Sequence, residues 1–78
     1  SEAHQIFLPQ IQPVFLRLIE NIALVLQDAG MTEDQALERA QDTVIRIQGA
    51  LILSRALQSP TPFLQLMDKL PKQLLSNI

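Results

Sequence analysis

The segment Gly49–Leu57, GALILSRAL, sets the hardest condition on the fold, because written on a helix it is apolar on every side except for Ser54 and Arg55. A helix apolar all round has to be covered all round. A chain of 78 residues supplies too few neighbours for that, since a domain of this size buries only about 60% of the surface its unfolded chain exposes. With no cysteine, neither a disulfide nor a thiolate-held metal can reinforce so small a core. Association with a second copy is the remaining common route, and a homodimer is the first expectation.

The rest of the chain reads as all-α. Its β-branched residues fall at helical rather than alternating spacing, and two Gly and five Pro mark the breaks. Residues 1–11 hold Pro9 beside the apolar cluster Ile6, Phe7 and Leu8. A proline in a helix interior deletes a backbone bond, so this segment is expected to be a loop or a short helical turn. Helix one then spans about 12–29, with Pro13 at its first position and Gly30 as left-handed cap. Two of its faces read as covered, leaving Arg17, Glu20, Asn21, Gln27 and Asp28 as a narrow wet stripe.

Helix two, about 32–58, has the clearest start signal. Thr32 followed by Gln35 makes a capping box, Glu33 and Asp34 face the positive end of the dipole, and Met31 and Ala36 stand at staple positions. Its first half is amphipathic, with Leu37, Ala40, Val44 and Ile47 inward and Glu38, Arg39, Gln41, Asp42 and Arg46 outward. Its second half loses the polar face. Gly49, in the middle, costs roughly 1 kcal/mol relative to Ala and is either a tolerated weak position or the place where another helix crosses closely. Helix three, about 61–77, follows Ser59-Pro60-Thr61-Pro62, with Thr61 as cap, Pro62 at the first position and a kink at Pro71. The short connections make successive helices antiparallel.

Little here points to chemistry. His4 stands alone in the N-terminal segment, the carboxylates of Glu33, Asp34, Glu38 and Asp42 suit a helix start and a wet face, and no Gly-rich loop or metal-ligand spacing occurs. No enzyme activity, metal or cofactor is expected. The six basic residues are scattered and the net charge is −2, so the chain lacks a surface for phosphates. The most apolar window, Val14–Leu26, carries Arg17, Glu20 and Asn21 and is too short and polar to cross a bilayer. Without a signal peptide pattern a cytoplasmic location is expected. Arg17 and Arg55 interrupt apolar stretches; their stems either lie over the core with the heads near Glu20 or Asp68, or Arg55 reaches a carboxylate of a second chain.

The stretch Glu38–Leu75 resembles the C-terminal region of TetR-type transcriptional regulators, on the segments Ile47-Gln48-Gly49-Ala50-Leu51-Ile52-Leu53-Ser54-Arg55-Ala56 and Pro62-Phe63-Leu64-Gln65-Leu66-Met67-Asp68-Lys69-Leu70-Pro71. The resemblance implies that helices two and three pack with their twins into a four-helix bundle, with Gly49, Leu53, Ala56, Phe63, Met67, Leu70 and Leu74 at the dimer seam. It also implies a pocket for a small hydrophobic effector, bordered by Phe15, Leu18, Ile22, Val44 and Ile45. Nothing in the chain resembles the helix-turn-helix head of such regulators, so DNA would be reached only through an absent N-terminal domain. A start at Ser rather than Met is what a fragment gives. The expected function is therefore a single dimerisation and ligand-sensing domain of a TetR-like repressor, over residues 1–78. The alternatives are a stand-alone helical adaptor that grips another protein's helix and, less well supported, a small carrier of hydrophobic molecules.

Overall fold

A computed structural model describes residues 2–76, with side chains from residue 11 onward. The chain is all-α: α1 (Glu2–Asp28), α2 (Glu33–Leu57) and α3 (Thr61–Leu74) follow one another, with no strand among the described residues. The side chain of His4 lies outside the described part, and the third helix, expected to reach about residue 77, ends at Leu74, with Leu75 and Ser76 in a turn.

The turn between α1 and α2 forms as the sequence dictates. Gly30 takes φ 117°, Met31 N–H donates to the Leu26 carbonyl at 3.0 Å and Gly30 N–H to that of Gln27 at 3.0 Å, a Schellman closure of α1. Two residues on, the Thr32 hydroxyl accepts from Gln35 N–H at 3.2 Å while the Gln35 side chain accepts from Thr32 N–H at 3.4 Å. This reciprocal box satisfies two of the donors that open every helix. Met31, between the two motifs, packs against the cluster that contains Leu26 and Ala36, so the turn is fixed from both sides.

The start of α1 differs from the sequence expectation. The helix begins at Glu2, includes residues 2–11 and runs through Pro9 and Pro13. Each proline removes the bond its own N–H would have made and crowds the carbonyl four residues back, but the neighbouring Glu2, Ala3, Gln5 and Leu8 are all residues that favour a helix.

At its other end α2 closes with the same bond pattern as α1. Gln58 N–H donates to the Arg55 carbonyl at 3.2 Å and Ser59 N–H to that of Ser54 at 3.0 Å, but the left-handed position is held by Gln58, at φ 51°. A side chain there is strained, whereas glycine is not. Gln58→Gly is expected to raise stability by about 0.5–1 kcal/mol, read from urea denaturation at fixed protein concentration. A lower midpoint would contradict this account of the turn.

The start of α3 also departs from expectation. Pro60, not Thr61, is the capping residue, and no side chain caps in the usual way. The accounting nonetheless closes. Pro62 has no N–H and Leu64 N–H reaches the Pro60 carbonyl at 3.0 Å; Thr61 N–H donates to the Ser59 hydroxyl at 3.3 Å, and Phe63 N–H to the Ser54 hydroxyl of α2 at 3.1 Å. At the far end Arg39 of α2 donates to the carbonyls of Leu74, at 3.1 Å, and Ser76. A cation there also suits the negative end of the helix dipole. Thus α3 lies antiparallel to α2, tied to it near both ends, and Pro71 sits inside the helix without splitting it.

Helix α2 is the centre of the molecule, with α1 and α3 both packed against it. Ala36 and Ala40 are wholly buried; their small side chains let α1 come close, and Ala23 and Leu26 of α1 meet them. Ile19, Ile22, Met31 and Leu74 close around this cluster, while Val44, Leu66 and Leu70 are buried further along. Thr43, the buried polar residue, satisfies its hydroxyl on the Arg39 carbonyl at 2.7 Å.

Candidate dimerisation surface

The buried side of α2 runs through Ala36, Ala40, Thr43 and Val44. At 100° per residue, Ile45, Gly49, Ile52 and Ala56 lie about opposite that side, with Leu53 at their edge. All five are exposed, Ile45 by 63%, Ile52 by 67% and Leu53 by 48%. Their spacing of i, i+4, i+7, i+8 and i+11 makes one continuous apolar stripe. A Cβ built on Gly49 would meet nothing within 4 Å, so no contact inside the protomer requires a glycine there. Toward the N-terminus the same face changes character: Glu38, Gln41 and Asp42 are exposed and polar.

The amount of open surface is itself informative. The chain exposes 6043 Å², whereas a compact monomer of 8.8 kDa exposes about 4,800 Å². Its radius of gyration is 14.5 Å, against about 11.5 Å for a compact chain of this length.

Of the residues expected at a seam, Gly49, Leu53 and Ala56 lie together on this open stripe. The expected seam residues of α3 are used differently. Leu70 is buried within the protomer, Leu74 packs against its α1–α2 core, and Phe63 and Met67 are half-buried. The exposed large apolar residues here are Leu64 of α3 and Leu75, which follows its last turn. Ile45 and Ile52 join the stripe although the sequence reading assigned Ile45 to a pocket and Ile52 to no site; the period of the exposed apolar positions is the signal that groups them.

The residues expected to border an effector pocket are spread over the protomer. Val44 is buried, Phe15 and Ile22 are half-buried with Ile22 against the core cluster, and Leu18 is exposed. Ile45 lines a shallow polar hollow with Met31, Gln35, Glu38, Arg39, Gln41 and Asp42. Helix α1 carries a second apolar stripe, Ile11, Val14, Leu18 and Val25, on exposed positions away from its contact with α2. Of the two faces that the sequence marks for cover on this helix, α2 covers one. No group of His, Cys, Asp and Glu able to hold a metal occurs among the described residues, and no described helix is long and apolar enough to cross a membrane.

Three helices packed through small residues, with apolar stripes left open, make this an all-α domain. The family model described as transcriptional regulator LmrA/YxaF-like, C-terminal domain, matches residues 1–69, and the chain belongs to that family of TetR-type C-terminal domains. No curated protein and no solved structure matches it.

Proposed function

We propose that this chain is the dimerisation and ligand-sensing domain of a TetR-like repressor, active as a homodimer in the cytoplasm. The observation that carries the reading is the open stripe Ile45, Gly49, Ile52, Leu53 and Ala56 on the central helix, in a chain that belongs to a family of regulator C-terminal domains. Covering Ile45, Ile52 and Leu53, all exposed on α2, removes apolar area from water at about 25 cal/mol per Å². The second apolar stripe, on α1, supports the ligand-sensing half of the proposal. With Leu18 exposed and Phe15 and Ile22 half-buried beside it, α1 offers one wall for a small hydrophobic effector; Val44, which is buried, and Ile45, which faces the open side of α2, do not join that wall within the protomer. A ligand preferring one arrangement of the two protomers would shift the spacing of DNA-reading heads carried outside these residues. No step requires the chain to act as an enzyme.

Sedimentation equilibrium of the purified chain tests the association. A species of twice 8.8 kDa is expected at micromolar concentration. A monomer persisting to about 100 μM would contradict the proposal, since that corresponds to less than about 5.5 kcal/mol of association free energy. That outcome would favour the adaptor reading, in which the same stripe meets a different protein's helix.

A further inference from the structure

The open face of α2 is divided sharply along its length. From Ile45 to Ala56 it is apolar, and from Glu38 to Asp42 it is polar and acidic. In a two-fold dimer each residue of this face meets the same face of its twin. Laying two α2 helices side by side along their full length would therefore take Glu38 and Asp42 out of water, against their own twins if the helices run parallel and against the apolar half of the stripe if they run antiparallel, and both are unfavourable. Contact limited to Ile45–Ala56 avoids this. The middle of that segment is Gly49 to Ile52, and Gly49 is open to solvent with no contact of its own to preserve.

Resting on the dimer reading above, we infer that two copies cross their α2 helices at Gly49–Ile52 and diverge toward their N-termini, so that Glu38, Gln41 and Asp42 stay wet. The absent side chain at Gly49 lets the two axes approach, and Ile52 and Leu53 pack around the crossing. The common crossing angle for globular helices is about 50°, with axes 8–10 Å apart. Glu38 lies eleven residues from Gly49 in sequence, about 16 Å along the helix. At that angle the two Glu38 positions are at least about 15 Å apart whichever sense the crossing takes, while the two Gly49 positions remain adjacent.

The chain has no cysteine, so single-cysteine variants report the geometry without background. Gly49→Cys, Ile52→Cys and Glu38→Cys are each oxidised at equal protein concentration, and the rate of covalent dimer formation is followed on non-reducing gels. Cysteine at position 49 or 52 is expected to link at least tenfold faster than at position 38, because a disulfide needs Cβ atoms about 4 Å apart. Two positions are used because a side chain at 49 can itself hold the helices apart. Equal rates at 38 and at 49 or 52 overturn the crossing. Failure to link at both 49 and 52 in variants that still sediment as dimers also overturns it, with association itself intact. Variants and parent that all sediment as monomers overturn the dimer reading on which the crossing rests.

Discussion

Replacing Leu26 by Ala should lower the stability of this protein by about 3 kcal/mol, within the 2–5 kcal/mol range for emptying a fully buried leucine site. Among the described residues Leu26 is the largest side chain that is completely enclosed, 1% exposed, and its neighbours Ala23, Ala36 and Ala40 are too small to fill the space it leaves. They belong to helices whose approach is already set by those alanines, so the site collapses poorly. A single core in a domain of this size rarely contributes more than about 3–5 kcal/mol, and the substitution should leave much of the chain unfolded at 25 °C. Urea denaturation followed by circular dichroism, at fixed protein concentration, provides the measurement. Leu64→Ala, at a site 58% exposed, serves as the comparison and should change little. A loss below about 1 kcal/mol for Leu26→Ala would mean that the α1–α2 cluster is not the principal core.

The second large effect concerns association. Ile52→Glu is expected to weaken the dimer at least a hundredfold while leaving the protomer folded. Ile52 is 67% exposed, so its removal opens no cavity, and glutamate favours a helix slightly more than isoleucine does. In a symmetric interface the change occurs twice, placing two unpaired carboxylates in a face that has to be dried. Even a modest uncompensated burial of a few kcal/mol accounts for a hundredfold. Sedimentation gives the dissociation constant and circular dichroism the helix content. An unchanged dissociation constant with intact helices would place the seam elsewhere on the protein.

The parts of the fold legible in the sequence were those fixed by neighbouring residues. Thr32 with Gln35, and Gly30 after Asp28, carry their turn geometry in the residues themselves, and the structure places α2 at Glu33–Leu57 as they require. The path of α1 through Pro9 and Pro13 was not legible, because a proline states which bond is missing and not whether the flanking helix tolerates the loss. The start of α3 was hidden for a different reason: its Phe63 N–H is satisfied by Ser54, on another helix. The candidate site shows the same limit. Phe63, Met67, Leu70 and Leu74 have the period of a covered face, and α3 has one, but periodicity cannot say whether the cover is the chain's own α2 or a twin. For Leu70 and Leu74 the protomer itself is the cover. Gly49, Leu53 and Ala56 were legible as open because their segment was apolar on more sides than one neighbour could serve.

The placement of Leu74 inverts the usual gradient of order along α3, the last of the described helices. Helix ends ordinarily fray first. Here the last turn of α3 forms one wall of the main core and has its carbonyls held by Arg39, whereas the first turn rests on Ser54 and the half-buried Phe63. Amide protons of α3 should therefore exchange soonest near Thr61 and latest near Leu74, so that the helix unzips from the inside of the chain outward.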